Sequence, residues 1–279
     1  MSSYVIRGGE SGKARLRVVA RALESSTLTL LAAAGLRPGM RCLDVGCGGG
    51  EVTVAMARVV GARGRVVGVD MDAVKIGLAR QEAIDSGLTH LEFRAGDVSA
   101  LPPDEMFDVV FARLVLTHVA DPQQVLQRMV AVVTPGGVVV IEDMDHSAVF
   151  THPRSDAMDR YVHLYNATAR ARGGDPEIGP KLPGMLRRAG IEPLEVRIAQ
   201  PAFFDGLAKG IHRVTLANVR DNMIASGLAS AAELDTLDEA MAAFDRDVET
   251  IVGFPRVFQT FGRRGSQQAP LRESGGGLF

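Results

Sequence analysis

The chain has 279 residues, 46% of them hydrophobic and 23% charged, with a formal net charge of −2. That is enough apolar sequence for a packed core in one large or two small domains, and the near-neutral total argues against a strong electrostatic grip on nucleic acid. The polar Met1-Ser2-Ser3-Tyr4 start has no apolar leader core, and the apolar runs are strand-length. Cys42 and Cys47 form neither a disulfide framework nor a zinc pattern, so a reducing cytoplasm without membrane attachment is the expectation.

In chain order, residues 1–12 read as a loop or lid and 13–34 as helix, interrupted at Ser25-Ser26. From Arg41 the pattern alternates. "RCLDVG" is a buried strand, "EVTVAMARVV" a helix and "RVVGVD" a strand ending in Asp70. Asp72 caps the helix that stops at Gly87. "LEFRAGD" and "FDVVFARL" are strands three and four, and Asp121-Pro122 opens a helix that runs to "TPGG". "VVVIEDM" is strand five. Strands alternating with helices imply an α/β, doubly wound parallel sheet, in which ligands sit beyond the carboxyl ends of the strands.

Residues 151–180 then insert a helical stretch, "KLPGMLRRAG" is a crossover helix and "LEVRI" a strand. Residues 203–252 read as largely helical. Ser230 and Glu233 mark a capping box, and Leu234, Leu237, Met241, Phe244 and Val248 form an apolar stripe. "PRVFQTFGRR" is a last strand, and the tail from Gly265 has the composition of a disordered segment.

Residues 42–55, "CLDVGCGGGEVTVA", carry the chemistry. No lysine follows the glycines, so this is not a P-loop. Gly46 and Gly48 fill two places of a dinucleotide fingerprint, but Glu51 fills the third, where it opposes a pyrophosphate at the helix N-terminus. A cationic ligand without phosphate suits the loop better, and S-adenosylmethionine has the required groups. Asp44 can attract its ammonium, Asp70 can accept from two ribose hydroxyls, and Asp97 from the adenine amino group.

The segments "LDVGCGGG", "VVGVDMD", "AGDVSALP", "FDVVFARLVLTHVADP" and "VTPGGVVVIED" resemble the successive motifs of class I SAM-dependent methyltransferases. The nearest type includes ubiquinone/menaquinone-biosynthesis enzymes and bacterial natural-product methyltransferases. The likeness covers roughly residues 36–145. It implies a Rossmann-like seven-stranded sheet of order 3-2-1-4-5-7-6 with strand seven antiparallel. It places cofactor contacts at Asp44, Gly46, Gly48, Asp70, Met71, Gly96, Asp97, Val98, Arg113 and Leu114, with S-adenosylhomocysteine as the product. The resulting division is an N-terminal helical lid segment (1–35), a methyltransferase domain (36–264) with helical caps at about 150–180 and 203–252, and a tail (265–279).

Methyl transfer needs orientation more than acid–base help, because the sulfonium is already a leaving group. His146, after strand five, is the leading base candidate. His118 is the second, with a purely architectural role as its alternative. Asp143 and Asp145 either orient the acceptor or simply end the strand. Tyr161, Val162 and Tyr165 face away from His163, as core or, for Tyr161 and Tyr165, as the wall of an acceptor pocket; His163 itself sits in a solvated pair with Asp159. Phe203 with Phe204, and His212, line an acceptor pocket or pack in the core. Tyr4, before Gly8-Gly9, belongs to a lid or to a frayed terminus. No metal site is evident. So much cap suggests a small, partly apolar acceptor, a secondary metabolite above all, rather than a nucleic acid. A homodimer through the caps is a further possibility. An enzyme of the same fold that keeps S-adenosylmethionine for other chemistry, such as a cyclisation, shares all these motifs. A non-catalytic binding module is the third reading.

Overall fold

The computed structural model describes residues 9–97 and 105–265. Tyr4, Val98 and the segment 266–279 lie outside the described residues. The first element is α1 (Gly9–Ala33), a single helix of 25 residues. It begins inside the stretch expected to be loop and runs through Ser25-Ser26 without a break. The hydroxyls turn inward to their own helix: Ser26 Oγ donates to the Leu23 carbonyl and Thr29 Oγ1 to the Ser25 carbonyl. Bonded this way, they do not compete for the helix ladder.

The central sheet is built from β1 (Arg41–Val45), β2 (Arg65–Asp70), β3 (Leu91–Ala95), β4 (Phe107–Arg113), β5 (Val133–Asp145), β7 (Ile191–Ala199) and β10 (Arg256–Arg264). Their spatial order is β3-β2-β1-β4-β5-β10-β7. Counted within this sheet alone, that is 3-2-1-4-5-7-6, and the last strand in sequence runs antiparallel to both neighbours. Asp44 lies in register with Gly68 on one side and Phe111 on the other, at the middle of the parallel strands. Helices α2 (Glu51–Val60), α3 (Ala73–Asp85), α4 (Pro122–Ala131) and α6 (Leu182–Arg188) make the crossovers. Their caps follow the sequence: Asp72 accepts from the backbone of Val74 and Lys75, and Asp121 from Gln124, with Pro122 at the first helical position. Two apolar cores fill the two faces, one centred on Leu43, Val110 and Ile141 and the other on Cys42, Val109 and Val140. The alternation of neighbours between the two cores is the period of two of a strand.

Two boundaries differ from expectation. The helix before strand five ends at Ala131, and β5 takes in Thr134-Pro135-Gly136-Gly137. A register shift between Phe107 and Val109 absorbs the turn. A Cβ at Gly137 would stand 2.9 Å from the Asp108 carbonyl oxygen, so glycine permits this close strand contact.

A second layer stands over the carboxyl edge of the sheet. It contains α5 (Asp156–Ala171), α7 (Gly206–Lys209), α8 (Ile211–Ala225) and α9 (Ala231–Arg246). A small antiparallel sheet joins them: β6 (Thr151–His152), β9 (Ile251–Gly253) and β8 (Ala202–Phe203). Met158, Leu164, Leu216, Val219, Leu234, Leu237 and Met241 form its core, with Tyr161 and Tyr165 at the boundary toward the sheet. Phe244 packs against this core, but Val248 lies beyond the end of α9 and is 81% exposed, so the stripe stops one turn earlier than its spacing suggested. Asp159 pairs with Arg154 rather than His163, which is simply exposed. No helix among the described residues is long and apolar enough to cross a membrane.

Candidate active site

One cavity, about 920 Å³ with its mouth included, lies where the parallel strands β1, β2, β4 and β5 end. Gly46, Gly48, Gly49 and Asp70 line one end, and His118, His146, Tyr161, Tyr165 and His212 the other. Arg15, Leu16 and Val19 of α1 close over it.

The loop end is shaped by backbone. Gly46, Gly48 and Gly50 have φ of 68°, 55° and 88°, values that a side chain strains. A Cβ on Gly46 would meet Val115 Cγ2 at 2.4 Å, and one on Gly48 would touch Leu16 Cδ1 at 3.0 Å. Asp70 locks the turn: its Oδ2 accepts from Gly48 N at 2.9 Å and its Oδ1 from Asp72 N at 2.8 Å. Each oxygen keeps a lone pair for a ligand hydroxyl. Asp44 is buried beneath the loop and accepts from Thr53 Oγ1 at 2.7 Å. Burial pushes its carboxyl up to about 7, against the pull of Thr53 and Arg113 and with the help of Asp70 and Glu51. The three acids around the loop, Asp44, Asp70 and Glu51, favour a positively charged ligand over a phosphate even with Arg113 and Lys75 in the lining, because Lys75 is paired with Asp72. The residues therefore fit S-adenosylmethionine. Glu51 Oε1, buried without a partner among the described residues, adds to that negative field.

The far end is lined by aromatic rings and neutral imidazoles, with the Arg15 guanidinium beside them. His146 stacks on Tyr165 with ring centroids 4.1 Å apart, and its ring lies 5.9 Å from Tyr161 and 6.5 Å from His212. Tyr161 and His212 are 5.5 Å apart. Burial holds all three imidazoles neutral: His118 and His146 are pushed down to about 3 and His212 to about 4. Arg15 lowers each of them further. His212 Nε2 meets the Gly253 carbonyl at 3.3 Å, which places its proton there and leaves Nδ1 as an acceptor. His146 Nδ1 is buried without a hydrogen-bond partner among the described residues.

The other sequence candidates lie elsewhere. Asp143 is fully buried behind the cavity, where its oxygens accept from the backbone of Thr117 and Met144; it does not face an acceptor. Asp145 caps the following turn through Ser147. Phe203 packs between two apolar cores and Phe204 is exposed, so neither lines the cavity. Met71 is 80% exposed, and it, Gly96 and Asp97 lie outside the cavity lining. Arg113 and Leu114 do line it. Leu114 has φ of 55°, an uncommon strain for leucine, and its N–H donates to the Glu142 carbonyl. Among the described residues no three His, Cys, Asp or Glu side chains gather as a metal site.

Residues 36–179 match a family model described as "Methyltransferase domain". The chain belongs to this methyltransferase domain family. Over 146 residues it is 32% identical to the ubiquinone/menaquinone biosynthesis C-methyltransferase UbiE of Vibrio parahaemolyticus, across 51% of this chain and 56% of that protein. The chain thus spans about half the length of the curated relatives it matches. Among solved structures, a putative methyltransferase of Bacillus halodurans superposes with a TM-score of 0.59 at 21% identity, covering 86% of this chain and 99% of that one. The [4+2]-cyclase SpnF gives 0.51 at 21% identity, covering 86% and 80%. At such identities the likeness establishes the Rossmann-like methyltransferase fold alone. The family match runs from residue 36 to 179, so α1, α8 and their cavity residues lie outside it.

Sequence reasoning passed over Arg15, Lys75 and Thr215, all of which line the cavity. It also passed over Thr53, the partner of Asp44. Only Thr53 had a local signal, a hydroxyl in the first turn of the helix that follows the loop.

Proposed function

We propose that this chain transfers the methyl group of S-adenosylmethionine to a small-molecule acceptor held between the glycine loop and His146. The observation that carries this reading is the continuity of the cavity: Asp70 and the glycines stand at one end and the histidine–tyrosine chamber at the other. A donor seated on the loop is thereby in line with an acceptor in the chamber, and such positioning supplies most of what a displacement at carbon requires. When bound, S-adenosylmethionine supplies the methyl group and a neutral leaving sulfur.

The chain's own residues do the rest. Asp70 receives the ribose hydroxyls while it fixes Gly48. Asp44, poised near neutrality, ionises fully once a cationic ligand is near, so it holds the amino-acid end of the donor. His146, neutral and with Nδ1 open, accepts a hydrogen bond from the acceptor's nucleophile and orients its lone pair. Its basicity is too low to strip a proton from an ordinary alcohol, so it takes one only as the nucleophile becomes acidic during transfer. Helices α1, α5 and α8 exclude water. The chamber's enclosure favours a small metabolite, in keeping with a natural-product role.

Calorimetry with S-adenosylmethionine and S-adenosylhomocysteine, followed by mass spectrometry of incubations with small hydroxylated and amino acceptors, tests the reading. One ligand per chain is expected, with S-adenosylhomocysteine released in proportion to methylated product. Product formed without release of S-adenosylhomocysteine would instead mark cyclase-type chemistry, and absence of binding would sink both.

A further inference from the structure

The chamber contains one group that the reaction above does not use. Arg15, on α1, lines the cavity and donates from Nε to Thr215 Oγ1 at 3.0 Å. The Thr215 hydroxyl in turn donates to the Ile211 carbonyl at 2.8 Å, so its lone pair is fixed toward the arginine. This contact sets the guanidinium by its inner nitrogen and leaves the outer fork for something else. Among the described side chains Arg15 has no carboxylate partner. The chamber lining has none to offer, since Asp143 and Asp145 are turned to backbone and turn contacts. An arginine held over a pocket of neutral imidazoles and phenols, without a counter-ion, marks a place for an anion.

Two anions compete for it: the carboxylate of the donor's amino-acid end and an anionic group on the acceptor. The surroundings decide. The groups that feel Arg15 are His118, His146, Tyr161 and His212, all at the acceptor end. Asp44, under the glycine loop, is influenced chiefly by burial and then by Thr53, Arg113, Asp70 and Glu51. The arginine also hangs on Thr215 of α8, a cap helix, rather than on the loop. A single guanidinium balances one negative charge. Of the other two lining cations, Lys75 is tied to Asp72 at 3.5 Å and Arg113 donates to Thr27, so a phosphate dianion would remain underpaired. The planar fork matches a carboxylate in two parallel hydrogen bonds.

We infer that the acceptor carries a carboxylate, received by the Arg15 fork beside Thr215, with its methyl-accepting atom directed toward His146. This rests on the methyltransferase reading for what happens at the other end of the cavity. The carboxylate is a handle and is not itself consumed; the nucleophile is a separate hydroxyl, amine or carbon of the same molecule. The stacked pair of His146 and Tyr165 and the edge of Tyr161 favour a flat, unsaturated body between the two.

The test uses the full chain saturated with S-adenosylhomocysteine and three acid–amide pairs as probes: benzoate with benzamide, cinnamate with cinnamamide, hexanoate with hexanamide. Phenyl phosphate serves as the dianion. At least one acid should bind about tenfold or more tighter than its amide and than phenyl phosphate. Arg15→Gln should erase that preference while S-adenosylhomocysteine affinity stays within about twofold. Thr215→Val, which keeps the charge and frees the arm, should lose about threefold of the preference and guards against a misfolded Arg15 variant. The absence of any acid preference in the parent overturns the inference, as does tighter binding of phenyl phosphate. An Arg15→Gln chain that loses S-adenosylhomocysteine but keeps the acid preference assigns the arginine to the donor and also overturns it. If the parent fails to bind S-adenosylhomocysteine, the methyltransferase reading falls, and the same titrations on the free chain still decide this one.

Discussion

The two ends of the cavity are built in opposite ways. The loop end comes from short, contiguous segments: residues 44–53 and 70–72 supply its glycines, acids and capping contacts. The chamber end is gathered from α1, the end of β5, α5 and α8, segments up to two hundred residues apart, as the Arg15–Thr215 contact shows. Their electrostatic burdens are also opposite. Burial beneath the loop raises the Asp44 carboxyl, and burial in the chamber depresses the imidazoles. A buried acid waits for a cation and a buried neutral base accepts hydrogen bonds, so the difference in burden is also a difference in ligand. The loop end suits a charged donor and the chamber a molecule that needs orientation.

The largest test falls on the loop. Asp70→Ala removes the acceptor of two backbone N–H groups together with the site for the ribose hydroxyls. Hydrogen bonds to a charged group contribute about 1.5–3 kcal/mol each, so S-adenosylhomocysteine affinity should fall by about a hundredfold or more. Calorimetry beside a thermal melt separates binding from folding. Affinity within about twofold of the parent would break the assignment of the loop end.

The next test asks how α1 is held over the cavity. Thr27 of α1 donates to Glu142 Oε2 at 2.7 Å and accepts from Arg113, while Gln259 of β10 donates to Oε1 at 2.5 Å. This buried chain ties the helix to β4, β5 and β10. Thr27→Val leaves one oxygen of Glu142 underpaired and should cost about 1–3 kcal/mol in urea unfolding, with a larger loss of ligand affinity than of stability if the helix loosens. An unchanged unfolding midpoint would mean that α1 is held by apolar packing of Val19, Leu23 and Leu30 alone.

The opposed burdens give the third test. The chamber imidazoles titrate at about 3–4 when folded, below the unfolded value of about 6.5, so the unfolded chain binds more protons in that window. The stability they lend is present above that unfolded value and is lost as pH falls toward the folded values. Asp44 and Asp143, raised to about 7, act in reverse: the folded chain binds the extra protons, and their contribution is lost as pH rises from about 4 to 7. Between about pH 4.5 and 6 the three imidazoles are opposed by Asp44, Asp143 and Asp245, the last raised by burial to about 6, and by Glu142, also raised by burial. These protons largely cancel, so stability should change little over that window. His146→Gln should lower the slope of stability against pH by one proton and Asp143→Asn should raise it by one. Urea melts at several pH values check both, and slopes unchanged in both variants would contradict the buried charges on which the comparison stands.

The same contrast explains what could be read in the sequence. The caps at Asp72 and Asp121 and the loop glycines follow from neighbours in the chain, where turn chemistry and period act over a few residues, and the sheet order from the resemblance of the motifs to those of methyltransferases. Arg15, Thr215 and the Thr27–Glu142–Gln259 chain depend on packing between distant elements and leave no local pattern. Asp143 shows the converse case. An acid at the end of strand five reads either as orienting the acceptor or as ending the strand, and the period of two turns it to the side where the turn after β4 needs an acceptor for its backbone N–H. Ser25-Ser26 reads as a break, yet hydroxyls that bond back within the turn are compatible with a long helix.

The smallest effect belongs to the chamber side as well, and it concerns a residue rather than a site. Val248 has the spacing of the α9 stripe, but the helix ends at Arg246, and Asp247, with extended backbone, carries the chain away. A side chain 81% exposed contributes little burial, so Val248→Ser should shift stability by no more than about 0.5 kcal/mol. Chemical unfolding of the two chains side by side resolves a difference of that size. A loss several times larger would mean that Val248 is covered in solution, and a second copy of the chain on this cap surface would then be the first thing to test by sedimentation.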